Sequence, residues 1–231
     1  MDVKVLFDND FDGWGLSLLI NQRILFDTGE NASSLRHAAA HLGLKPSRLE
    51  SVVLSHDHWD HVGGLEYIVK KNKKIKIYIC PAFDSSFKNR LSALSKKVIK
   101  ADNFLRVFSS IYTTGQLTGF YKEKTIAEQA LILQTDKGFS VVTGCAHPGI
   151  IKILKRVKSQ LSLPEFYAVI GGFHLKNESY EQAQKIVEEF QRFKVRHVVP
   201  LHCTGSEAVK AFQDVYQDRC HILNRGDKME V

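Results

Sequence analysis

The sequence predicts a mixed α/β protein, a four-layer αββα sandwich. Two observations carry this. A β-hairpin opens each half, over residues 16–26 and again over 129–143, and each is followed by strand-helix units. No Gly-, Pro- or Ser-rich linker separates the halves, so residues 1–231 read as a single domain. Two similar β-rich halves then pack face to face with helices outside.

The elements follow in order. Val3–Phe7 is an apolar strand, and residues 8–15 form a polar, turn-rich loop. Leu16–Ile20 and Arg23–Phe26 form a hairpin across Asn21-Gln22. Ser33–Leu42 is an alanine-rich helix closed by Gly43, and Pro46 opens a short helical turn. Ser51–Leu54 is a buried strand, followed by a helix from Leu65 and a strand over Ile75–Ile79. The polar stretch 84–100 is weakly helical and suits a substrate wall or lid. Phe104–Phe108 reads as a strand, and Thr113–Gly119 as a loop. After the second hairpin come a helix from Ile150, a strand Phe166–Ile170, a helix Ser179–Phe193 and a strand Val195–Leu201. A helix N-capped by Ser206 and a last strand, Cys220–Leu223, complete the chain.

Composition excludes several classes. Hydrophobic residues are 44% and charged residues 25%, ordinary for a globular chain with a sizeable core. No apolar run approaches the roughly 20 residues that span a membrane. Met1-Asp2-Val3-Lys4 lacks the basic and apolar regions of a signal peptide, so a cytoplasmic location is expected. The four cysteines form no CxxC pair, which argues against a zinc ribbon or a disulfide framework. Cys80 and Cys220 read as buried apolar residues. The net charge of +7 is met by a solvated basic face or by attraction of an anionic small-molecule substrate such as a phosphate ester. No basic stripe is interleaved with aromatics, so nucleic acid is disfavoured as a partner.

The chemistry concentrates in Ser55-His56-Asp57-His58-Trp59-Asp60-His61-Val62-Gly63-Gly64. Side chains two apart on an extended segment point the same way, so His56 and His58 converge on one ion. Asp60 and His61 lie where the chain turns and suit a second. Imidazole and carboxylate together fit zinc, iron or manganese rather than calcium or magnesium. Three later strand ends repeat the pattern. Thr143-Gly144-Cys145-Ala146-His147 places two transition-metal donors at i and i+2, with a core cysteine as the alternative for Cys145. Leu201-His202-Cys203-Thr204-Gly205 delivers His202 as a ligand beside Asp60 and His61, with Cys203 pointing into the core. The amides of residues 204–206 offer an anion site. Gly171-Gly172-Phe173-His174 presents His174 as a substrate-binding residue, a proton donor, a ligand or a packed histidine. His37 and His41 share a helix face but lack further ligands, and read as exposed or packing residues.

The motif His56-Xaa-His58-Xaa-Asp60-His61 resembles the signature of the metallo-β-lactamase superfamily. That resemblance implies an αββα sandwich with a metal centre, usually of two ions, at one sheet edge. Leu25-Phe26-Asp27-Thr28-Gly29, residues 14–20, 143–150 and 171–175, and Leu201–Gly205 narrow the resemblance to the dihydropterin-synthase-like branch. It implies that Asp27 holds a ligand by a hydrogen bond. Many members carry a His-Xaa-Xaa-Gly-His segment where this chain has Thr113-Thr114-Gly115, without histidine. Cys145 stands where a bridging aspartate would be, and His147 completes the first ion's set. The expected site is therefore His56, His58 and His147 on one ion and Asp60, His61 and His202 on the other, with Cys145 between. Asp60 would orient water, and His174 would stabilise developing charge or protonate the leaving group. The expected cofactor is two divalent ions, zinc before iron or manganese. The expected function is a metal-dependent hydrolase of an ester or phosphate. A pyrophosphate-releasing transferase is the alternative, and an iron-binding redox protein the third reading.

Overall fold

The computed structural model describes residues 1–9 and 13–231, so part of the turn-rich loop expected over 8–15 lies outside the described residues. The N-terminal sheet holds seven strands: β1 (Asp2–Asp8), β2 (Leu16–Ile20), β3 (Ile24–Phe26), β4 (Ser51–Val53), β5 (Lys76–Ile79), β6 (Val98–Lys100) and β15 (Lys228–Glu230). Their order is β15-β1-β2-β3-β4-β5-β6. The C-terminal sheet holds β7 (Leu105–Phe108), β8 (Ile111–Thr113), β11 (Leu131–Thr135), β12 (Gly138–Thr143), β13 (Phe166–Gly172) and β14 (Val195–Leu201), in the order β14-β13-β12-β11-β8-β7. A separate ribbon pairs β9 (Leu117–Tyr121) with β10 (Lys124–Glu128).

Packing confirms the four layers. Val5, Leu18, Phe26 and Val53 of one sheet share a buried cluster with Val142, Ile170, Val199 and Leu201 of the other. The strands are apolar on both faces because each sheet is also covered outside. The N-terminal sheet carries α1 (Ala32–Leu42), α3 (Leu65–Lys71) and α4 (Ser85–Leu94), seated through Leu35, Ile68 and Leu91. The C-terminal sheet carries α5 (Ile150–Leu161), α6 (Tyr180–Arg192) and α7 (Ser206–Tyr216), seated through Leu154, Val187 and the edge-on rings of Phe190 and Phe212. Among the described residues, no helix is long and apolar enough to cross a membrane.

The first hairpin turns where expected, with Asn21 and Gln22 both at positive φ as a tight hairpin turn requires. Gly43 closes α1 in the left-handed conformation. Ser179 caps α6 in a capping box with Gln182. Three expectations are corrected and a fourth is sharpened. Cys220–Leu223 is not a strand: Cys220 makes an isolated bridge to Val198, and the C-terminal strand is β15, pairing with β1. The stretch 113–119 is not simply a loop, because it contains the end of β8 and the start of β9. The weakly helical stretch 84–100 resolves into α4, capped by the Asp84 carboxylate, and β6. Gly205, not Ser206, is the N-cap of α7.

Candidate metal centre

One edge of the sandwich gathers the ends of β1, β3, β4, β12, β13 and β14. Asn9, Asp27, His56, Cys145, His147, His174 and His202 all follow these ends within a few residues. A four-residue helix, α2 (Trp59–Val62), turns Asp60 and His61 inward. Asp27, Ala146, His174 and His202 adopt the left-handed backbone conformation despite their side chains. Such strain persists only where the surroundings hold it, and here four instances surround one site.

The histidines are fixed from behind. Asp27, fully buried, accepts from His61 Nδ1 at 2.7 Å and from Ser55 Oγ at 2.6 Å. Ser55 Oγ in turn accepts from His56 Nδ1 at 2.8 Å, so one carboxylate orients two imidazoles. In the other half, the buried Glu128 accepts from His147 Nδ1 at 2.8 Å and from the amides of Cys145, Ala146 and His147. Asn9 Oδ1 accepts from His202 Nδ1 at 2.8 Å, and the Asp8 carboxylate accepts from the His202 amide. Gly144 permits this convergence, since a Cβ there would lie 2.1 Å from Ser55 Oγ.

In the neutral rings of His56, His61, His147 and His202, with the outer Nδ1 holding the proton, the inner Nε2 presents a lone pair. His61 Nε2 faces His202 Nε2 at 3.2 Å, and His56 Nε2 faces His58 Nδ1 at 3.1 Å. Asp60 Oδ2 lies 3.4 Å from His202 Nε2 and 3.6 Å from His61 Nε2, and Cys145 Sγ lies 3.4 Å from His61 Nε2. His56, Cys145 and His147 bring donor atoms within 4.8 Å of one another, as do His61, Cys145 and His202. Lone pairs at such distances repel unless a cation lies between them. The donor set therefore fits transition-metal ions, and its imidazole, thiol and carboxylate chemistry suits zinc, iron or manganese.

The titration behaviour has the same origin. Burial, reinforced by the neighbouring imidazole of His147, pushes His58 down to about 4. Burial and the surrounding histidines lower His56 well below its ordinary value. Burial opposes ionisation of Asp60, but the His202 hydrogen bond and the charges of His61 and His202 outweigh it and bring the carboxyl to about 2. Burial likewise opposes the charge on His61, yet Asp27 overcomes it and raises that imidazole. Burial pushes the Cys145 thiol up, while its hydrogen bond to Cys203 pulls Cys203 down.

The structure thus brings His56, His58, Asp60, His61, Cys145, His147 and His202 around one centre, and seats Asp27 behind His61. His174 is exposed and faces the cleft, its ring 4.6 Å from that of His147. Cys203 corrects its reading as a core residue: its sulfur lines the cleft beside Cys145 and His174. Thr204 spends its amide on Leu201 O, which weakens the expected anion site. His37 and His41 are exposed on α1, ring to ring at 4.2 Å. Glu128, Asn9 and Tyr121 were missed. Tyr121, on the β9–β10 ribbon, lies 4.8 Å ring to ring from His58 and 5.5 Å from His147. The cleft of about 670 Å3 is lined by Trp14, Trp59, Tyr121, Lys122 and Lys176 besides the central residues.

The family model of the metallo-beta-lactamase superfamily matches residues 15–202, and the chain belongs to that superfamily. Within it the chain falls in the dihydropterin-synthase-like branch. It is 30% identical, over 92% of this chain and 88% of the relative, to the 7,8-dihydropterin-6-methyl-4-(beta-D-ribofuranosyl)-aminobenzene-5'-phosphate synthase of Methanocaldococcus jannaschii. An uncharacterised protein of the same organism is 29% identical over 90% of this chain and 92% of its own. Among solved structures, a metal-dependent hydrolase of the beta-lactamase superfamily superposes with a TM-score of 0.81 at 26% identity, covering 100% of this chain and 99% of that one.

Proposed function

We propose that the protein is a metal-dependent hydrolase whose centre holds two divalent ions, zinc first among them, and acts on an anionic ester or phosphate. The observation that carries this is the set of inward imidazole nitrogens, of which those of His56, His61, His147 and His202 belong to rings whose outer nitrogens are already fixed. His56, His58 and His147 would hold one ion and Asp60, His61 and His202 the other, with Cys145 reaching both. When bound, the ions supply Lewis acidity: they polarise a carbonyl or phosphoryl oxygen and make hydroxide available near neutral pH.

The chain's own residues do the rest. Asp60 stays ionised throughout the working pH range and accepts a hydrogen bond from the attacking water, aiming its lone pair. His174 carries a raised pKa, chiefly from its hydrogen bond to Cys203, and is placed at the cleft to donate a proton to a leaving oxygen. Lys176 Nζ sits 4.1 Å above the Trp14 ring, and Lys122 Nζ 5.3 Å above Tyr121. These cations at the cleft attract a negatively charged substrate. A screen of phosphate esters, lactones and thioesters against zinc-, manganese- and iron-loaded protein tests the reading. His58→Ala and His202→Ala should abolish turnover and lower metal content, and full metal with full turnover in both would overturn it.

A second reading is group transfer with release of pyrophosphate. It is favoured by the synthase named above, which covers most of this chain. Incubation with a pterin pyrophosphate and an arylamine riboside phosphate separates the two: a coupled product supports transfer, and its absence alongside hydrolysis supports the first reading.

A further inference from the structure

Cys203 is assigned to neither ion above, yet it is buried in the wall of the cleft. Its thiol donates to the Cys145 carbonyl oxygen at 3.6 Å. Cys145, His174 and Cys203 follow the ends of three adjacent parallel strands, β12, β13 and β14. Gly172 makes room for them, because a Cβ there would lie 2.7 Å from Cys203 Sγ. The donor atoms of Cys145, His174 and Cys203 all lie within 4.8 Å of one another. Three points so spaced share a centre no more than about 2.8 Å from each, against bonds of about 2.3 Å for Zn–S and 2.0–2.1 Å for Zn–N. A contraction of at most about half an ångström at each sulfur and about three-quarters at the imidazole closes the set, within reach of ordinary side-chain rotation.

We propose that Cys145, His174 and Cys203 form a third metal site, with two sulfurs and one imidazole, that takes a soft, thiophilic ion such as zinc, cadmium or copper(I). The other two groups are rich in nitrogen and contain at most one sulfur, so a thiophilic ion prefers this one. His174 is open to the cleft, which gives the ion a route in and leaves a coordination position for an outside ligand. Cys145 also belongs to the other two groups, and a thiolate has lone pairs enough to bridge. An ion at this site occupies the imidazole that the proposed reaction uses as proton donor, so soft-ion loading and turnover oppose each other.

The full-length protein, stripped with chelator and titrated with cadmium, tests this. Bound ions are counted by elemental analysis, and thiolate-to-metal charge transfer is followed in the ultraviolet. Wild type should bind three ions. Cys203→Ser and His174→Gln should each bind two, with part of the thiolate absorbance lost in Cys203→Ser, while Cys220→Ser behaves as wild type. His174 lies at the surface of the cleft, so its variant reports even where Cys203→Ser fails to fold. Saturation of wild type at two ions, or a third ion retained in His174→Gln, overturns the proposal. In His58→Ala, loss of an ion from the other groups with the Cys203-dependent absorbance intact shows that the two assignments stand or fall separately.

Discussion

In the N-terminal half one carboxylate, Asp27, serves two imidazoles, directly at His61 and through Ser55 at His56. For the imidazoles of the C-terminal half the same task is divided: Glu128 serves His147, and Asn9, at the end of β1, serves His202. Asp27 is also the harder group to keep ionised. Burial raises its pKa despite its hydrogen bonds, whereas at Glu128 burial is outweighed by the His147 imidazole and by the amides of His147 and Ala146, which lower its pKa. The first half therefore concentrates its risk in one buried residue. The second distributes it, and its carboxylate doubles as the anchor of the 145–147 turn.

The largest expected break follows from this concentration. Asp27→Ala leaves the Ser55 amide, Ser55 Oγ and His61 Nδ1 without their acceptor, and should cost about 3–5 kcal/mol of stability. It should also weaken both ions together; denaturant unfolding and chelator competition measure the two effects. Glu128→Gln should weaken chiefly the ion proposed at His147, by about 10–100-fold, and leave the other proposed ion near its original affinity. Equal weakening of both ions would show that the halves are not independent. Asn9→Ala removes a neutral acceptor from a partly buried ring and should weaken only the His202 ion, by about 10-fold at most.

The smallest effect is on the metal-free protein's response to acid. His58 is held down to about 4, against an ordinary value of 6.5. Between those values the unfolded chain binds a proton that the folded chain refuses, so stability present above pH 6.5 falls as pH drops toward 4. His56 acts in the same direction. His61 is raised, so its contribution is retained in that window and declines only at higher pH. The urea midpoint of chelator-treated protein should fall between pH 7 and 5, and His58→Gln should flatten the slope.

Much of the centre was legible because it stands at strand tips. An apolar run ending in His, Cys or Asp followed by glycine shows both the strand and the candidate donor at its end, as at Leu54–His61, Thr143–His147 and Leu201–Cys203. Glu128 carried no such signal: it is one acid among the polar residues of 121–128, and only the fold turns it beneath His147. The β9–β10 ribbon escaped because its turn uses Lys122 and Glu123 at positive φ in place of glycine or asparagine. Cys203 was misread because alternation along a strand was carried one residue too far. Leu201 ends β14, and His202 takes a left-handed turn that swings the next side chain back into the cleft.

The sequence by itself determined the layered fold and pointed to the candidate donor residues, because hydrophobic period and strand-end chemistry are local properties written in neighbouring positions. Tertiary structure alone decided which carboxylate stands behind which imidazole, which ring nitrogen is left facing inward, and that two cysteines 58 residues apart meet at one histidine. Those outcomes depend on where two separate sheets bring their edges together, and no local pattern encodes a distance between residues so far apart along the chain.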